Sequence, residues 1–104
     1  MKFLERLRFK KNKKEVFPFK ETPQTACITC SHILEEDKPI LHITHDDDGY
    51  WQFLCVRDHE SDSARLVALG EVYKLDNTIG KVSNLGFNMS ANRSAKDNEW
   101  VIDG

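Results

Sequence analysis

Two β-rich runs joined by an acidic, glycine-ended turn constrain this chain more than any other stretch in it. Residues 38–45 read KPILHITH, residues 46–49 read DDDG, and residues 50–56 read YWQFLCV. β-Branched and aromatic side chains suit an extended backbone, and Asp and Gly suit a tight reversal. The pattern therefore predicts an antiparallel hairpin over about residues 38–56. Successive side chains of a strand point to opposite faces, so Trp51, Phe53 and Cys55 share one face and Gln52, Leu54 and Val56 the other. The aromatic face is expected to point into the core.

Beyond the hairpin, Ser61, Asp62 and Ser63 are good helix N-caps, and a helix is predicted through Ala64 to Leu69, interrupted or ended by Gly70. Leu66, Leu69, Val72, Tyr73, Leu75, Ile79, Val82 and Leu85 then recur at three- and four-residue steps, which favours helix, although Val72 to Leu75 also suits a strand. Asp76-Asn77 reads as a break or cap. Past Gly86, NMSANRS and EWVI read as short strands, the second offering Trp100 to the interior. The fold class expected is α+β: a small antiparallel sheet containing the central hairpin, with one or two helices. A chain of 104 residues suits one core. We divide it into a basic segment at 1–21 and a single domain at 22–104. In the segment, Phe3, Leu4 and Leu7 would share one face of a short amphipathic helix, and Phe17-Pro18-Phe19 would end it.

Charge is unevenly distributed. Residues 1–20 carry eight Lys or Arg against two acids, leaving seven against fifteen in the remainder of the chain. An acidic body favours a basic protein partner, whereas the basic segment alone suits phosphate or an acidic lipid surface. A solvated tail on a soluble body is the plainer alternative. No apolar run approaches the roughly 20 residues of a membrane-spanning helix, and the start lacks the apolar segment of a secretory signal. An unexported, cytoplasmic protein is expected.

Three cysteines, an odd number, make a poor disulfide framework and suit a reducing compartment or a metal site. Cys27-Ile28-Thr29-Cys30 is a CxxC pair, and Cys55 is followed four residues later by His59. Three thiolates and an imidazole form a donor set for tetrahedral zinc, a CxxC turn placing two sulfurs on one ion. Cys27, Cys30, Cys55 and His59 are the preferred ligands of a structural zinc, with His32 as a rival for the histidine position. The competing account is three reduced thiols, with Cys55 a small apolar core residue. A redox CxxC is the weaker alternative, because that chemistry expects a βαβ setting rather than a following hairpin.

Catalytic patterns are missing. There is no nucleophile elbow, glycine-rich phosphate loop or HExxH. The acidic runs Glu35-Glu36-Asp37 and Asp46-Asp47-Asp48 fall in turn-like stretches, and the latter lacks the spacing of a calcium loop. His42 and His45 lie on opposite faces of one strand and read as surface or hydrogen-bonded histidines. No enzymatic activity is expected.

Along TACITCSHILEEDKPILHITHDDDGYWQFLC, continuing through DHESDSARLVALGEVYKLDNTI, the chain resembles a group of small uncharacterised bacterial proteins. More distantly it is similar to a bacterial toxin-immunity family formerly classed as a domain of unknown function. Members of that family share a Gly-aromatic-Trp-like hairpin, an acidic loop and a later leucine-rich element before Asp. The resemblance covers roughly residues 25–85. It implies an α+β fold and a protein-binding role, and an immunity-like protein with this acidic body would block a basic toxin such as a nuclease. The family pattern has neither a cysteine set nor a basic segment before Phe17, and it offers no catalytic residues to carry over. The leading expectation is therefore a non-enzymatic protein-binding domain stapled by zinc. The alternatives are a zinc-containing nucleic-acid module using Lys10, Lys11, Lys13 and Lys14, and a CxxC thiol redox protein.

Overall fold

In the computed structural model, which describes residues 16–56 and 61–103, eight regular elements follow one another. They are strand β1 (Ala26–Cys30), helix α1 (Ser31–Glu36), strands β2 (His42–His45), β3 (Trp51–Leu54) and β4 (Ala64–Ala68), helix α2 (Leu69–Leu75), and strands β5 (Met89–Asn92) and β6 (Val101–Asp103). Short 3-10 turns occupy Ser61–Ser63 and Asn77–Val82. The amphipathic helix expected near the N-terminus falls on residues 1–15, and the metal ligand expected at His59 falls within 57–60. Both lie outside the described residues.

The six strands form one mixed sheet in the order β4-β1-β3-β2-β5-β6. The fold is α+β, with the expected hairpin at its centre. His42 pairs with Leu54 and His45 with Trp51. Gly49, at φ 94°, takes the left-handed conformation that lets the chain reverse. Strand β1 lies on the other side of β3 and runs parallel to it, Thr29 opposite Phe53, while every other pairing is antiparallel. One parallel pair is thus set into the antiparallel sheet that the sequence suggests.

The inward face of β3 nucleates the core as its alternation predicts. Trp51 and Phe53 are buried and stack with ring centroids 5.9 Å apart. Phe19 meets Trp51 edge-on at 5.0 Å and is itself buried, so the core recruits a side chain from before Thr22, where we expected the ordered body to begin. Leu69 and Val72 of α2, with Ile79 and Val82 of the longer 3-10 turn, complete the same apolar cluster.

Residues 64–68 differ from the sequence reading. The helix predicted there is strand β4, because all five residues pair with β1, from Ala68 opposite Ala26 to Ala64 opposite Cys30. Leu66 and Leu69 do not share a helical face: Leu66 is 69% exposed on the edge strand and Leu69 is fully buried in α2. The chain switches period between them. Gly70 consequently opens α2 instead of ending a helix. A Cβ at this position would lie 2.9 Å from Pro23 Cβ, and the Gly70 N–H donates to Pro23 O at 2.9 Å.

A buried ion pair with Asp76 holds Arg93 where it also ties the second half of the chain to the first through Ile40. Arg93, one residue past β5, donates to Asp76 Oδ2 at 2.7 Å, to Ile40 O at 3.0 Å and to Thr78 Oγ1 at 3.0 Å. Its guanidinium also lies 4.0 Å from the centre of the Trp100 ring, the residue expected to turn inward. Asp76 is the cap anticipated at Asp76-Asn77, accepting from the Thr78 N–H at 3.0 Å. Among the described residues, no helix is long and apolar enough to cross a membrane.

Candidate metal centre

The parallel pairing of β1 and β3 brings their C-terminal ends to the same edge of the sheet. Cys30 is the last residue of β1 and Cys55 the first after β3, so both thiols emerge there. Helix α1 begins directly after Cys30, which places His32 in its first turn. The helix ends in a tight cap: Asp37 adopts the left-handed conformation at φ 57°, and the Asp37 and Lys38 N–H groups both donate to His32 O. The backbone of His32 is therefore fixed from the far end of its own helix.

Cys30, His32 and Cys55 present ligand atoms that all lie within 4.8 Å of one another, and this group could hold a metal ion. The sulfurs of Cys30 and Cys55 are 3.7 Å apart, a thiol-to-thiol contact, and no disulfide joins any of the three cysteines. Two thiolates each about 2.3 Å from a tetrahedral zinc stand about 3.8 Å apart. The separation thus fits two sulfurs sharing one ion.

Burial first, and then the adjoining Cys30, push the Cys55 thiol up to about 11, against the smaller lowering effects of a backbone hydrogen bond and of Lys38. Crowding against a second thiol in this apolar corner favours the protonated form of Cys55. A cation placed between them reverses that preference, since it binds thiolate and stabilises it.

Of the four ligands anticipated from sequence, the structure brings Cys30 and Cys55 together and adds His32, the rival histidine. Cys27 is not in the group. It lies three residues before Cys30 on an extended strand, a span of about 10 Å, and an odd separation turns the two side chains to opposite faces. The same geometry parts the two thiols that a CxxC redox pair would join. Cys27 is fully buried in the core, and burial pushes its thiol up to about 12, the behaviour of an inert apolar side chain.

His42 and His45 do occupy opposite faces of β2. His42 bonds Asn92 and Thr44, while His45 is buried and hydrogen-bonded to Leu85 O. No sequence pattern marks the parallel register that brings Cys30, His32 and Cys55 together. The Cys-x-His string at Cys30 and His32 was the one local signal for its histidine. Compared with known protein families, with curated proteins and with solved structures, the chain matches none of them.

Proposed function

We propose that this chain is a small, non-enzymatic protein-binding domain fastened by one structural zinc ion on Cys30, His32 and Cys55, with His59 as the fourth ligand. The convergence of three soft and borderline donors, two of them sulfurs spaced as on one tetrahedral ion, carries this reading. The ion would tie the β1–α1 junction to the end of β3. A core this small gains a large share of its stability from such a staple.

The partner favoured by charge is a basic protein. Residues after Lys20 carry seven Lys or Arg against fifteen acids, a surplus that speeds encounter with a positive surface. The resemblance to toxin-immunity proteins points the same way. A reduced Cys27 thiol and a thiolate-bound ion suit a reducing, cytoplasmic setting.

Elemental analysis of the untagged protein, purified under reducing and chelator-free conditions, tests the metal centre. The expected result is about one zinc per chain, lost in Cys30→Ser and retained in Cys27→Ala. Absence of zinc, or equal loss in both variants, would overturn the proposal. For the partner, binding to a basic test protein should exceed binding to an acidic one and weaken with salt. Equal, salt-independent affinity for both would remove the charge argument.

A further inference from the structure

Away from the metal centre, residues 83–87 and the Lys20-Glu21 segment border a cleft of about 470 Å³ whose walls include Glu21, His45, Trp51 and Phe87. His45 and Trp51 are only 6% and 1% exposed, and their rings stack with centroids 3.9 Å apart. Phe87 meets the imidazole edge-on at 4.8 Å yet leaves 65% of its surface to solvent. Such a combination, apolar ring faces around a few buried polar atoms, is typical of small-molecule sites.

The polar atoms define what the cleft takes. His45 Nδ1 lies 2.7 Å from Leu85 O. A carbonyl oxygen only accepts, so Nδ1 carries the proton, and in the neutral ring Nε2 is left as a lone-pair acceptor. Among the described residues, His45 Nε2 and Trp51 Nε1 are buried without a hydrogen-bond partner. Unpaired buried polar atoms are uncommon in folded proteins and call for an explanation. The Glu21 carboxylate stands 3.8 Å from His45 Nε2, a second acceptor that cannot satisfy the first.

We propose that this cleft binds a small organic ammonium ion. One N–H cation about 2.9 Å from each acceptor fits between two acceptors so spaced, and a charged donor makes the stronger bond. Aromatic ring faces attract the same charge. The exposed Phe87 gives an apolar surface for the carbon chain, and Trp51 Nε1 offers a donor to any oxygen on the ligand. Glu21 keeps 27% of its side chain exposed, so the cation meets the carboxylate first and the sealed imidazole behind it. A metal ion fits less well, because no third metal-ligating side chain among the described residues joins His45 and Glu21. Lys20 also lines the cleft, so selection rests on the paired acceptors and ring faces and not on net charge.

The test is a titration of the ¹⁵N-labelled full chain with n-butylammonium, butan-1-ol and butyrate in the millimolar range, read at the indole N–H resonances. Butylammonium should shift the Trp51 signal saturably and leave Trp100 in place, with neither control matching it. Glu21→Gln should weaken that affinity about tenfold or more, and Lys20→Ala should strengthen it. The Trp51 resonance of each free variant reports whether the fold is kept. No saturable shift, an equal response to butan-1-ol, or unchanged affinity in Glu21→Gln would overturn the assignment.

Discussion

Replacing Arg93 by Met should destabilise the protein by about 3–5 kcal/mol, because it removes one partner of a buried charge pair and leaves the other without compensation. The side chains of Arg93 and Asp76 are only 1% and 6% exposed, so water cannot replace the lost guanidinium. Three hydrogen bonds go with it, including the bond to Ile40 O, where the chain enters β2. Total stability for a domain of this size is about 5–15 kcal/mol, so the variant should lose a large part of it and melt at least about 12 °C lower. The assay is urea unfolding of wild type, Arg93→Met, Asp76→Asn and the double variant, followed by Trp fluorescence. Asn at position 76 keeps an acceptor for the Thr78 N–H while removing the charge. The double variant should therefore recover stability relative to the sum of the singles, with a coupling of about 2 kcal/mol or more. A loss below about 1 kcal/mol in Arg93→Met, as for an exposed pair, or strict additivity would refute this account.

Phe19→Ala should cost about 3–5 kcal/mol in the same assay, since it empties a site against both Trp51 and Phe53; a surface-like change would show that the core does not reach back past Thr22. Gly49→Ala should cost about 1 kcal/mol through backbone strain at φ 94° alone, because nothing lies within 4 Å of the added Cβ. For Cys27, the folded value of about 12 exceeds the ordinary thiol value of 9.0, so the buried neutral thiol stabilises fully below pH 9.0. That contribution is lost as pH rises toward the folded value, by at most about 1.4 kcal/mol per pH unit. Unfolding measured on either side of the ordinary thiol value should show this alkaline decline in wild type and a shallower one in Cys27→Ala; identical slopes would exclude Cys27 as its source.

Local chemistry in the sequence determined the elements whose signals are short-ranged. The hairpin at 38–56 follows from β-branched and aromatic alternation broken by Asp and Gly, and the burial of Trp51 and Phe53 follows from the same period of two. The Asp76 cap and the short strands at Met89–Asn92 and Val101–Asp103 were legible for similar reasons. Residues 64–69 were not, since Leu66 and Leu69 stand three apart in either conformation. Only the availability of β1 as a pairing partner decides that the first belongs to an exposed edge strand and the second to a buried helix. The candidate metal group divides in the same way. Composition supplied the cysteines and histidines, and CxxC spacing suggested that Cys27 and Cys30 act together. That suggestion assumes a turn, whereas tertiary pairing makes the segment a strand and sends the two thiols apart. Cys30 finds Cys55 instead because β1 and β3 run parallel, so that side chains 25 residues apart leave the sheet at one edge. Strand direction is set by long-range packing and carries no local residue signature, and for that reason the sequence named the donors while the fold chose which of them meet.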